Sequence, residues 1–179
     1  QDDEEYLEVL GAIRRGEVGE LHYERLISRS VLPKEAPEGM PKLYSHNADV
    51  DRINAAELSK LAGKAERFVM DSKGKVALIE GLKRGCLSPE VLELKIGAKV
   101  MFTKNSPQGK FVNGTLGTVA GFDWDRYPIV EVASGAKVTA EPMDWRVEEG
   151  EKVRASISQV PLRLAYAITV HKSQGMSMD

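Results

Sequence analysis

The strongest constraint on the fold is a nearly unbroken apolar run, residues 164–170, that ends abruptly in the polar residues 171–175. A run with so little polar alternation is expected to be buried. Its periodicity alone does not distinguish a strand from a short helix that leads into a strand. Because α/β domains bind ligands where buried strands end, the junction after residue 170 predicts a binding loop.

Upstream of this run, the sequence begins with two helical segments and continues with a strand followed by a helix. Apolar residues at helical spacing predict a first helix that begins among acids 2–5 and ends near Gly16, and a second over about residues 20–29. A short strand at 42–45 is followed by a helix for which Asn47 is the predicted N-cap. A strand followed by a helix is the repeating unit of an α/β domain.

Short β-type segments begin near residue 92 and continue to about Gly150. Asn113-Gly114 and Ser134-Gly135 mark tight turns between them. Strands this short, with a turn roughly every ten residues, predict a small β-barrel. The chain as a whole is therefore predicted to be an α/β protein with an inserted β-rich module.

Composition narrows the class of protein. The chain has 179 residues, a net charge of −2 and a single cysteine, Cys86, so an internal disulfide is excluded and a zinc site is disfavoured. No apolar run approaches the ~20 residues needed to cross a bilayer, so we expect no membrane association. Residues 95–113 contain four lysines and no acid, which is typical either of a solvated surface or of a phosphate-binding face.

A nucleotide-hydrolysing phosphate loop is missing from the sequence. Gly-Lys occurs at 63–64, 74–75 and 109–110, but Ser or Thr follows none of these pairs. We therefore expect that the chain by itself does not turn over ATP, and that no cofactor binds to it alone.

Five ordered segments carry a resemblance to a known family. Residues 167–175, Ala-Ile-Thr-Val-His-Lys-Ser-Gln-Gly, resemble motif V of superfamily 1 (subgroup B) DNA helicases of the RecD-like branch, which includes the petite-integration-frequency helicases. Residues 43–54, 94–105, 112–119 and 159–162 are similar to further segments of that family in the same order. Together they span essentially the whole chain.

The resemblance implies a RecA-like second motor lobe interrupted by an SH3-like barrel. Residues 1–40 would lead in from the first motor lobe, 41–95 and 151–179 would form the second lobe, and 96–150 would form the barrel. Both ends of the sequence look cut, and we expect an excised C-terminal portion of a longer helicase. The absent first lobe of the same protein, with its phosphate loop, would then be its structural partner.

The resemblance also implies roles for individual residues. Single-stranded DNA would contact the second lobe through phosphates, and nucleotide would lie between the lobes. The predicted DNA-binding residues are Thr169, His171, Asn47, His46, Lys172, Lys104 and Lys110. The predicted ATP-binding residues are Gln174, Gly175 and Gln1.

Several of these residues have equally ordinary interpretations. Asn47 could serve as a helix cap and have no other role. His171 could be an ordinary exposed histidine, and Gln174 and Gly175 could form a turn or a helix start. The lysines could simply be solvated. Trp124 is predicted to be exposed in a loop and Cys86 to be inert. The remaining aromatic residues considered are predicted to be core: Tyr44, Phe102, Phe111 and Tyr166.

The implied function is ATP-dependent translocation on single-stranded DNA with 5′-to-3′ polarity, using ATP and Mg²⁺ in the full-length protein. One alternative is a non-enzymatic β-barrel module that binds nucleic acid or protein. A second is a motor lobe that has lost activity and acts as a scaffold. If the protein is bacterial, a cytoplasmic, nucleoid-associated location is expected.

Overall fold

The computed structural model describes residues 4–30, 41–150 and 152–170. The chain divides into two compact units, Gln1–Met40 and Pro41–Asp179. No helix among these described ranges has the length and apolar character needed to cross a membrane.

The first unit is a helical hairpin formed by α1 (Glu4–Arg15) and α2 (Glu20–Ser28). Acids lie in the first turn of α1 and arginines in its last turn, as the helix dipole favours. Glu8 joins the two helices: its carboxylate accepts hydrogen bonds from Arg25 Nη1 at 2.8 Å and pairs with His22 Nε2 at 2.9 Å. The predicted helices in this part of the chain are therefore confirmed.

Within its described residues, 41–150 and 152–170, the second unit combines the helices α3 (Asn47–Lys60) and α4 (Val76–Gly85) with twelve short strands. In chain order, the strands are β1 (Lys42–Tyr44), β2 (Glu66–Val69), β3 (Asp71–Gly74), β4 (Val91–Leu94), β5 (Lys99–Phe102), β6 (Leu116–Phe122), β7 (Pro128–Val132), β8 (Lys137–Thr139), β9 (Met143–Glu149), β10 (Lys152–Gln159), β11 (Leu162–Leu164) and β12 (Ala167–Thr169).

The strands form four small sheets. β1 and β12 pair in parallel, β2 pairs with β4, β3-β10-β9 form a three-stranded sheet, and β11-β5-β6-β7-β8 form a five-stranded sheet. β9 pairs with β10 instead of returning to β8, so the β-rich region 96–150 contributes to two different sheets. No closed barrel forms among the strands that the structure describes.

The main core lies against the five-stranded sheet. Phe102 is fully buried and its ring stacks on that of Phe111, with centroids 3.8 Å apart. The prediction that these two phenylalanines are core residues is confirmed. Trp124 is completely exposed, also as predicted. The buried members of this core are Leu58, Leu92, Leu94, Ala98, Val100, Phe102, Phe111, Val119, Val130, Val138, Ala140, Val160 and Leu162.

Three local predictions need correction or refinement. The N-cap of α3 is His46, not Asn47, which is the first helical residue. The apolar run 164–170 contains no helix leading into a strand; it holds the end of β11 and then β12, separated by Ala165 and Tyr166. β3 escaped prediction because all four of its residues are exposed and show no apolar alternation.

Candidate nucleic-acid interface

The only parallel strand pair among the described strands brings together two segments that are far apart in sequence. β1 and β12 run side by side, with Tyr44 opposite Thr169. Because parallel strands end at the same edge of a sheet, the turn after Tyr44 lies next to the C-terminal end of β12 at Thr169. The predicted DNA-contacting segments around His46 and Thr169 therefore meet.

The first of these segments presents polar side chains at the N-terminus of α3. His46 and Asn47 are both exposed, and the side chain of His46, the N-cap residue, makes no capping hydrogen bond. Ser45 Oγ lies 2.8 Å from His46 Nδ1, an interaction that orients the imidazole ring. The amide groups of the first helical turn point outward here and favour an anion.

The second segment ends in a buried hydroxyl. Thr169 is 1% exposed, and its Oγ1 has no hydrogen-bond partner among the residues that the structure describes. A buried, unpaired hydroxyl costs ~1–3 kcal/mol, which a phosphate oxygen could offset. Thr169 thus lies at the expected edge, but contact with DNA through Oγ1 requires a local opening and stays a prediction.

Asn54 holds this edge in place and was not predicted to matter. Its side-chain amide donates to the carbonyl of Ala167 at 3.0 Å and accepts from the Ala167 N–H at 3.0 Å. Asn54 is 5% exposed and Ala167 is fully buried. The amide satisfies the backbone edge of β12 that faces away from β1, so it fixes α3 against the strand that carries Thr169.

Two of the three predicted lysine contacts, Lys104 and Lys110, lie in the β-rich part of this unit. Lys104 Nζ donates to the carbonyl of Asp144 and lies 4.6 Å from the centre of the Trp145 ring, a cation–π contact. Lys110 is exposed in the loop between β5 and β6. The contacts of Lys104 are to β9, so the structure does not bring it together with the ends of β1 and β12.

The other predicted site residues fall outside the described ranges. They are Gln1, His171, Lys172, Gln174 and Gly175. Their assignments to DNA and nucleotide remain predictions.

No metal centre is evident among the described residues. They contain no group of three or more His, Cys, Asp and Glu side chains placed to hold an ion. Cys86 is buried, and this burial raises the pKa of its thiol, which favours the unreactive protonated form.

Comparison with known proteins supports the family resemblance found in the sequence. The model of the DNA helicase Pif1 2B domain matches residues 77–122, from α4 to the end of β6. The ATP-dependent DNA helicase PIF1 of Homo sapiens is 34% identical over 185 residues, which cover 100% of this chain and 28% of that protein. The Pif1 helicase of Bdellovibrio bacteriovorus is 32% identical, over 99% of this chain and 40% of its own length. The chain belongs to the Pif1 family.

Solved Pif1 structures share the fold. A crystal structure of Pif1 from a Bacteroides species in complex with ADP-AlF4 matches with a TM-score of 0.84 and 26% identity, over 100% of this chain and 42% of that one. Bacteroides Pif1 bound to single-stranded DNA matches with a TM-score of 0.63 and 27% identity, over the same shares of each chain. The predicted α/β class is confirmed.

This Pif1-family chain spans only 28% to 40% of the length of the curated relatives described above. Those relatives are helicases, and none of them favours the alternative of a free-standing binding module. The resemblance inferred from residues 167–175 is therefore confirmed at the level of the family.

Proposed function

We propose that this chain supplies the DNA-gripping second motor lobe of an ATP-dependent 5′-to-3′ DNA helicase. The observation that carries the proposal is the parallel pairing of β1 with β12, which gathers His46, Asn47 and Thr169 at one edge. The curated relatives named ATP-dependent DNA helicases support the motor as a whole.

The chemistry of this edge suits a phosphate backbone. Asn47 and the first-turn amides of α3 offer neutral donors, and His46 offers a ring N–H. The nearby carboxylate of Asp49 is held 3.4 Å from Arg52, which offsets its repulsion of an anion. Such contacts read no bases, so we propose binding that is independent of DNA sequence.

Nucleotide and Mg²⁺ would be held mainly by the first motor lobe. No residue group described in this chain fits a metal site. The residues proposed to face nucleotide from this side are Gln174, Gly175 and Gln1. ATP binding between the lobes would supply the free energy for stepping along the strand.

The finer architecture is also a proposal. Residues 41–95 and 151–179 would form the RecA-like lobe, which the parallel β1–β12 pair and the packing of α3 support. Residues 96–150 would form an SH3-like module, supported by the antiparallel meander of β5, β6, β7 and β8.

The proposed grip is tested by replacing Asn47 with alanine in the full-length protein. Because Asn47 is exposed and is the first helical residue, not the N-cap, folding should be unaffected. Loss of one hydrogen bond to a charged phosphate should weaken binding to single-stranded DNA by about tenfold. Fluorescence anisotropy with a labelled oligothymidine measures the dissociation constant.

Ser59→Ala provides the matched control, since Ser59 is an exposed polar residue at the other end of α3. Its dissociation constant for the same oligonucleotide should equal that of the native protein. Equal affinities for all three proteins would exclude Asn47 from the interface and remove the main support for the proposed grip.

A further inference from the structure

We propose that a pocket beside α3 is a docking site for an acidic side chain of a partner protein. The pocket encloses about 380 Å³ and lies on the unit of residues 41–179. Residues of its lining that carry the argument are Asp51, Leu58, Leu92, Glu93, Arg163 and Leu164. The pocket differs chemically from the DNA-facing edge at the ends of β1 and β12, because a single arginine provides the positive charge of the pocket.

Arg163 reaches this pocket because of its position in β11. Leu162 and Leu164, on either side of it, pack into the main core, so the alternation of the strand turns Arg163 to the other face. The residue is 6% exposed. Its Nε and Nη1 have no hydrogen-bond partner among the residues that the structure describes.

A buried guanidinium without partners is energetically unfavourable, and proteins almost always pair such a charge. Burial lowers the pKa of Arg163, and the negative charge of Asp51 opposes this shift, but arginine stays protonated in any case. No carboxylate in the described part of the chain approaches within ion-pair distance of Arg163. Nε and Nη1 are closed to solvent, so an anion in the pocket would meet Nη2 first and reach the other two nitrogens only after a local opening.

The lining defines which anion fits. A carboxylate matches the planar guanidinium, and the leucine walls favour an aliphatic group beside it. Asp51 and Glu93 also line the pocket and oppose any anion, a dianionic phosphate or a DNA strand more strongly than a single carboxylate. The rim acids instead favour a basic residue next to the ligand carboxylate. These features describe a peptide segment with an acidic residue flanked by leucine-like and basic residues.

The volume of the pocket fits a ligand side chain better than a single small ion. A pocket of about 380 Å³ would hold roughly a dozen waters at ~30 Å³ each, which is enough for one acidic side chain with its aliphatic neighbour. A ligand that combines both groups would occupy the space and place a carboxylate beside Arg163.

Two peptides test the proposal on the native full-length protein. The probe is acetyl-Leu-Glu-Leu-Lys-amide, and its matched control carries Gln in place of Glu. Titration calorimetry or NMR should show at least tenfold tighter binding of the Glu peptide. Arg163→Gln should abolish this preference, Arg163→Lys should retain part of it, and Arg84→Gln, at an exposed arginine, should leave it intact.

Competition separates this site from a nucleic-acid site. Neither inorganic phosphate nor oligothymidine should displace the Glu peptide, and Asp51→Asn should leave its binding equal or tighter. Equal binding of the two peptides, displacement by phosphate or DNA, or an undiminished preference in Arg163→Gln would overturn the proposal. Because the peptide comparison uses the native protein, it remains decisive even if Arg163→Gln does not fold.

Discussion

Replacing Asn54 with alanine is expected to destabilise the unit of residues 41–179 by about 2–5 kcal/mol. The substitution leaves both the N–H and the carbonyl of Ala167 buried without partners, because Asn54 supplies both hydrogen bonds at 3.0 Å. It should also release the end of β12 and weaken binding of single-stranded DNA by the full-length protein. Urea unfolding monitored by circular dichroism gives the stability, and anisotropy gives the affinity.

Asn47→Ala is the matched control on the same helix. Asn47 is exposed and is not the N-cap of α3, so its loss should reduce DNA affinity without changing stability. Asn54→Asp keeps an acceptor but loses the donor, and should also be destabilising. An Asn54→Ala protein as stable as the native one would show that the amide does not secure β12.

Replacing Phe102 with alanine is expected to cost about 3–5 kcal/mol of unfolding free energy. The ring is fully buried and stacks on Phe111 with centroids 3.8 Å apart, so its removal leaves a cavity at the centre of the main core. Phe102 is also the residue of β5 that lies opposite Leu162 of β11. Urea unfolding of the two proteins at equal concentration measures the difference.

Phe122→Ala is the control for this experiment. Phe122 is only partly buried at the end of β6 and faces Phe68 with ring centroids 6.4 Å apart. Its loss should therefore be clearly less destabilising than that of Phe102. Equal effects of the two substitutions would contradict the assignment of Phe102 to the core centre.

Local patterns in the sequence predicted most of the elements but not how they pair. The helices α1 and α2 follow from apolar spacing and charged ends, which are properties of neighbouring residues. The pairing of β9 with β10 and of β3 with β10 depends on contacts between distant segments. An exposed strand such as β3 has no apolar alternation by which it could be recognised.

The candidate interface was predictable only in part, for the same reason. The motif around Thr169 indicated one strand end, and the turn at His46 indicated another, but only the parallel pairing joins them. Asn54 has no local signal, because a buried asparagine inside a helix looks like an ordinary polar position. Its role appears only when the backbone of Ala167 lies beside it.

Photocrosslinking tests the central claim most directly. The full-length protein would be irradiated in complex with single-stranded DNA carrying 5-iododeoxyuridine, and crosslinked peptides would be identified by mass spectrometry. We expect crosslinks in this chain at the turn containing His46 and Asn47 and in the peptide that follows Thr169. Crosslinks confined to residues 96–150, with none at either strand end, would contradict the proposed grip and favour a β-module that binds DNA on its own.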